Sequence, residues 1–273
     1  MEIKDCIGVF DSGLGGLTAV KELRKCLPDE NIIYFGDTGR VPYGTRSPET
    51  IIKYVRQDIR FMSTFSVKAM LVACGTASSI ALPALEGQLP VPTLGVIHCA
   101  VETAATHTHN RRIGIIGTPG TIASGAYERE LKAIDQDIQT ISVACPLFVP
   151  LVESGRFAKD DPVPRLVAED YLRPICDFGV DTLIMGCTHY PLLEDVIRGI
   201  MGPRVQLISP GTEGSRSLKE FLYNNRLNNT TMQKGNILYY VSDEVANFAD
   251  IASVFLGERI APGSVHKIDI ETY

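Results

Sequence analysis

Nine short apolar runs, each too brief for a stable helix, punctuate the chain at residues 7–10, 32–35, 69–73, 93–97, 113–116, 138–143, 183–185, 206–208 and 237–241. Between them lie longer segments in which apolar residues recur at helical spacing. Such alternation is the signature of βα units wound around a parallel sheet, so the fold class is α/β. The helix after Ser47 is the most fully signed. Ser47 offers a capping hydroxyl, Pro48 a first-turn proline and Glu49 an acid, and Ile51, Val55, Ile59 and Met62 follow on one face. With 273 residues the chain can hold one large α/β domain or two smaller ones.

A faint internal echo favours two. Ile7-Gly8-Val9-Phe10 before Asp11-Ser12-Gly13 resembles Ile113-Gly114-Ile115-Ile116 before Gly117-Thr118-Pro119. Likewise Leu71-Val72-Ala73-Cys74-Gly75-Thr76 resembles Leu183-Ile184-Met185-Gly186-Cys187-Thr188. In each pair an apolar strand ends in a small, hydroxyl-bearing turn. Two related halves, each presenting its strand ends to a shared cleft, would explain both matches.

Charge and cysteine usage narrow the function. A net charge of −6 leaves no broad basic footprint for nucleic acid, so small molecules are the expected partners. Residues 1–5 run directly into the first strand with no basic and apolar leader, and the longest charge-free stretch, 69–85, is broken by Gly75, Ser78, Ser79 and Pro83. These features predict a soluble, cytoplasmic chain without a membrane span. Seven cysteines, an odd number without Cys-x-x-Cys spacing, fit neither a disulfide framework nor a zinc site. Cys6, Cys26, Cys99, Cys145 and Cys176 read as packing.

Cys74 and Cys187 stand apart. Each follows an apolar strand and precedes a segment read as helix, residues 76–85 and 190–200, which would put both thiols at helix N-termini, where a thiolate is stabilised. Ser12, Thr76, Thr118, Thr121 and Thr188 fall at similar strand-to-helix turns and could converge with backbone N–H groups on a carboxylate. Asp11-Ser12-Gly13-Leu14-Gly15-Gly16 is a poor dinucleotide fingerprint, because Thr18 stands where the last glycine belongs and an acid opens the loop. Asp11 reads better as a carboxylate serving the site. His189 and Glu153 are candidates for tuning a thiol.

Four stretches occur in order: Asp11-Ser12-Gly13-x-Gly15-Gly16, Pro42-Tyr43-Gly44, Ala73-Cys74-x-Thr76-Ala77-Ser78 and Gly186-Cys187-Thr188-His189-Tyr190-Pro191. Taken together they resemble the signatures of bacterial glutamate racemase, of the cofactor-independent aspartate/glutamate racemase family. The resemblance spans essentially the whole chain. It implies two flavodoxin-like parallel-sheet domains, residues 1–97 with 210–273 and residues 98–209, with the site between them. It implies an isomerase needing neither pyridoxal phosphate nor metal, which makes D-glutamate for peptidoglycan and so serves cell-wall biogenesis and cell shape. Cys74 would exchange the α-proton of D-glutamate and Cys187 that of L-glutamate. Asp11 would assist Cys74, and His189 and Glu153 would assist Cys187. Ser12, Pro42, Tyr43, Gly44, Gly75, Thr76, Thr118, Thr121 and Thr188 would contact substrate.

Two departures from the family pattern stand out. Gly75 occupies a usual asparagine position, and His98-Cys99-Ala100 replaces Glu-Pro-Gly. The first suggests that asparagine would be tolerated at position 75. Three other readings stay open: a racemase of aspartate or another acid, a hydrolase using Cys187 with His189, and a non-catalytic amino-acid-binding module. The state of assembly, a homodimer included, is also open.

Overall fold

The computed structural model describes residues 5–231, 233–243, 248–260 and 263–273; Met1 to Lys4, read above as lacking a leader, lie outside them. The strands are β1 (Cys6–Asp11), β2 (Ile32–Gly36), β3 (Val67–Val72), β4 (Thr93–Gly95), β5 (Arg112–Gly117), β6 (Gln139–Ala144), β7 (Thr182–Met185), β8 (Gln206–Ile208), β9 (Ile237–Val241) and β10 (Val265–Lys267). The helices are α1 (Leu17–Cys26), α2 (Pro48–Met62), α3 (Gly75–Ala84), α4 (Val96–His107), α5 (Pro119–Ser124), α6 (Ala126–Ile134), α7 (Phe148–Glu153), α8 (Pro162–Phe178), α9 (Glu194–Met201), α10 (Pro210–Asn224) and α11 (Phe248–Leu256).

These strands form two sheets, ordered β10-β9-β2-β1-β3-β4 and β6-β5-β7-β8, with every pairing parallel. All six residues of β1 are buried, as expected of a central parallel strand covered on both faces. In each sheet the chain runs from a central strand to one neighbour and then crosses to the other side. The first sheet places β1 between β2 and β3, and the second places β5 between β6 and β7. The crevices at the β1/β3 and β5/β7 carboxyl ends are therefore topological switch points, where open α/β sheets bind ligands. The sequence echo maps onto these strands: β1 corresponds to β5 and β3 to β7.

One apolar cluster joins the two sheets. It runs from Ile7 and Val9 on the first and Leu17 on α1 to Leu183 and Met185 on the second and Phe148 on α7. Helix α10 packs against both α1 and α4. Among the described residues no helix is long and apolar enough to cross a membrane.

Three local readings need correction. Val96 and Ile97, read as the end of a strand, open helix α4, because Gly95 caps that helix in extended conformation and α4 buries Val96, Ile97, Ala100, Val101 and Ala104 on its inner face. The three-residue edge strand β10 gave no sequence signal. Cys187 does not stand at the start of an α-helix: a 3₁₀ turn, Tyr190–Leu193, intervenes before α9.

Candidate active site

A cavity of about 350 Å³ opens between the two switch points, and both Cys74 and Cys187 line it. Of the residues expected to touch substrate, Ser12, Pro42, Tyr43, Gly44, Gly75, Thr76, Thr118 and Thr188 line it too, as do His189 and Glu153. The sequence reading missed Val41, Pro119, Pro146, Val149 and Pro150, whose side chains are apolar, and Thr45, whose hydroxyl does not fall at a strand-to-helix turn, and placed Cys145 only in the core.

Cys74 caps α3. Its sulfur accepts the Ala77 N–H at 3.4 Å and donates to Ser12 Oγ at 3.4 Å. The expected depression of its pKa is not what the surroundings produce. Burial, reinforced by the Asp11 carboxyl and only partly opposed by Ser12 and the Ala77 N–H, pushes the thiol up to about 12. A cap N–H is a partial charge, whereas loss of hydration acts on the full thiolate charge.

Cys187 begins a different arrangement. Its sulfur lies 3.9 Å from His189 Nδ1, and His189 Nε2 lies 3.1 Å from Glu153 Oε1 at the end of α7. The ring is buried edge-on against Phe255, with centroids 5.5 Å apart. Burial would lower the His189 pKa, but hydrogen bonds with Cys187 and Glu153 and the nearby charges of Cys187 and Asp11 outweigh it and hold it at about 10. An imidazolium therefore sits beside this sulfur at neutral pH and stabilises negative charge arising there.

Asp11 and Thr121 differ from their expected places. Asp11 is fully buried behind the cavity wall; its carboxyl accepts from Gly13 N–H at 3.0 Å and Thr188 Oγ at 3.3 Å, and among the described residues no hydrogen bond joins it to Cys74. Its effect on that thiol is through space and keeps the proton on. Thr121 lies behind the lining, where its hydroxyl, with those of Thr76 and Thr118, closes a triangle of contacts of 2.9–3.1 Å across the two halves.

The glycines of the first turn answer to space. A Cβ on Gly15 would fall 2.2 Å from Thr188 Oγ1 and 2.5 Å from His189 Nδ1, so this turn packs directly on the Cys187 turn instead of cradling a phosphate. Gly75 is similar. It opens α3 without left-handed geometry, yet its Cβ would lie 2.6 Å from the Gly186 carbonyl oxygen. Asparagine at this position would require the Gly75 and Gly186 turns to move apart. In the other departure His98 lies exposed on α4, its ring nitrogens 3.4 Å from Glu102 and 3.0 Å from Glu130, while Cys99 and Ala100 are buried.

Fold and cavity together define a class: paired parallel-sheet α/β proteins that bring one cysteine from each switch point to a common enclosed cleft. Comparison with known proteins gives the family. The Asp/Glu/Hydantoin racemase family matches residues 17–217. Glutamate racemase from Geobacter metallireducens is 45% identical over 265 residues, 97% of each chain, and that from Bacillus cereus is 42% identical over 260 residues, 95% of this chain and 96% of its own. The crystal structure of glutamate racemase from Francisella tularensis in complex with D-glutamate superposes with a TM-score of 0.90 at 37% identity, covering 98% of both chains. The chain belongs to the Asp/Glu/Hydantoin racemase family.

Proposed function

We propose that this protein interconverts L- and D-glutamate by moving the α-proton between two cysteines. The observation that carries the reading is the pair of thiols, one from each sheet, lining a single cavity. Deprotonation at an α-carbon gives a planar intermediate. Reprotonation on the opposite face needs a second acid, which two opposed thiols supply without turning the substrate.

The surroundings of the two thiols set the direction of the resting enzyme. Cys74, pushed up to about 12, rests as the proton-bearing acid. Cys187, beside the His189 imidazolium, is the base that removes the α-proton of L-glutamate. For D-glutamate the roles reverse, and the substrate ammonium entering the cavity counters the Asp11 charge near Cys74. Among the described residues the cavity lining includes no Arg or Lys, so the substrate carboxylates fall to the hydroxyls of Ser12, Thr76, Thr118 and Thr188 and to the N–H groups opening α3 and α5. On this reading the chain divides into residues 1–97 with 210–273 and residues 98–209, the first boundary falling in the opening turn of α4, and the protein supplies D-glutamate for peptidoglycan from the cytoplasm.

Incubation with L-glutamate in deuterated water tests the reading. The expected result is loss of optical rotation together with deuterium at the α-carbon. Binding without exchange would leave only a binding module, and preference for aspartate would overturn the substrate assignment while keeping the reaction.

A further inference from the structure

The wall of the cavity from Val41 to Thr45 rests on a largely buried polar cluster that the proposed chemistry does not use. Arg40, its side chain 9% exposed, donates from Nε to Asp37 Oδ2 at 2.7 Å, from Nη2 to Asp58 Oδ1 at 2.9 Å, and from Nη1 to Gln57 at 2.6 Å and Glu271 at 3.2 Å. Its guanidinium also stacks on Tyr54, 4.1 Å from the ring centroid. Asp37 and Asp58 are fully buried. The Tyr43 hydroxyl contacts Asp37 Oδ2 and lies 2.9 Å from Asp58 Oδ2.

Counting hydrogens fixes who donates to whom. Among the described residues Asp37 faces three donors, Arg40 Nε–H, the Ser242 hydroxyl at 2.7 Å and Tyr43, whereas Asp58 faces two, Arg40 Nη2–H and Tyr43, so the negative charge is better satisfied on Asp37, which accepts. The phenol has one hydrogen, and Asp37 takes it. The remaining contact joins two oxygens at 2.9 Å and needs a hydrogen of its own, which can come only from Asp58.

We propose that Asp58 is a neutral carboxylic acid donating to Tyr43, and that this Asp58–Tyr43–Asp37 relay, clamped by Arg40, positions the cavity wall. Burial, with the Asp37 charge beside it, raises the Asp58 pKa well above the carboxylate range, in keeping with the hydrogen count. The relay bears on the site because Tyr43 is part of the lining, and the next residue, Gly44, meets the other half. A Cβ on Gly44 would lie 2.7 Å from Thr118 Cβ, and one on Gly120 would lie 3.0 Å from the Gly44 carbonyl oxygen. A shift of Tyr43 is thus passed to this contact between the two halves beside the cavity. Asp37, Arg40 and Asp58 are positioning residues in this scheme.

The relay predicts opposite responses to the same isosteric change. Asp58→Asn keeps a carbonyl toward Arg40 and puts an N–H where the acid hydrogen was, so the relay survives. Asp37→Asn turns an N–H toward groups that are themselves donors. The expected result is a KM for glutamate within about 3-fold of wild type for Asp58→Asn, and raised about 10- to 100-fold with a smaller change in kcat for Asp37→Asn, the loss of one charged hydrogen bond. Asp58→Ala should behave like Asp37→Asn.

The inference rests on the proposed activity only for that kinetic arm. Two readouts need no turnover: the infrared band of a buried protonated carboxyl, present in wild type and absent in Asp58→Asn, and the alkylation rate of Cys74, faster in Asp37→Asn but not in Asp58→Asn. Equal damage from both asparagine variants, or wild-type protein without the acid band, would overturn the relay. Wild-type protein that shows the band but leaves glutamate unchanged would overturn the glutamate assignment instead.

Discussion

Gly75→Ala adds one methyl group where backbone of the two halves meets closely. The new Cβ would lie 2.6 Å from the Gly186 carbonyl oxygen, about 0.7 Å inside the ~3.3 Å at which ordinary C–H···O contacts begin. The obstacle is backbone on both sides, so no rotamer relieves it; the turn bearing Cys74 and the turn bearing Cys187 must separate. Misplacement of reacting groups by about 1 Å can cost on the order of 100-fold, so a 10- to 100-fold fall in kcat is expected, with a stability loss of about 1–3 kcal/mol from overpacking. Gly75→Asn should be at least as damaging, for it carries the same Cβ. The assay is racemisation of glutamate followed by circular dichroism, paired with thermal denaturation. Gly75→Ala protein with the kcat and melting temperature of wild type would refute the claim that this contact sets the distance between the two thiols.

Cys74→Ala and Cys187→Ala should each abolish racemisation, and substantial turnover by either would sink the two-thiol mechanism. Because His189 is raised in the folded state from 6.5 to about 10, its contribution to stability is full below pH 6.5 and is lost as pH rises to about 10. The melting temperature should therefore fall across that window more steeply for wild type than for His189→Asn, and parallel curves would contradict the assignment. Glu153→Gln removes a contact that raises His189, so the alkaline limb of the pH–rate profile should move toward lower pH; an unmoved limb would show that Glu153 does not act through the imidazole.

What was legible in the sequence were the features written in local chemistry. The buried central strands announced themselves as apolar runs, and the Ser47 cap is formed as its residues implied, with Thr50 N–H donating to Ser47 Oγ at 3.3 Å. Cys74 and Cys187 could be singled out because both follow such strands at turns of matching composition. Features created by contact between distant segments were hidden. Glu153 is a single acid at a helix end, and only its 3.1 Å approach to His189, 36 positions away, gives it a chemical meaning. The thiol at residue 74 was read from its helix cap, whereas its pKa is governed by burial beside Asp11, which no local pattern displays. The close approach of Gly75 to the Gly186 carbonyl was hidden because that carbonyl belongs to the turn after β7, in the other half.

The unequal dressing of the two sulfurs, a hydroxyl and a cap N–H on one and an imidazolium on the other, has a consequence for turnover in the two directions. Mirror-image amino acids have equal free energy in water, so the equilibrium constant of a racemase is one whatever the protein does. That identity forces kcat/KM to be equal for the two enantiomers. The asymmetry of the site can therefore never make the enzyme a better catalyst for one hand at low substrate concentration. It can only divide the same efficiency differently, giving one enantiomer tight binding with slow turnover and the other weak binding with fast turnover, and so decide which hand saturates the enzyme first.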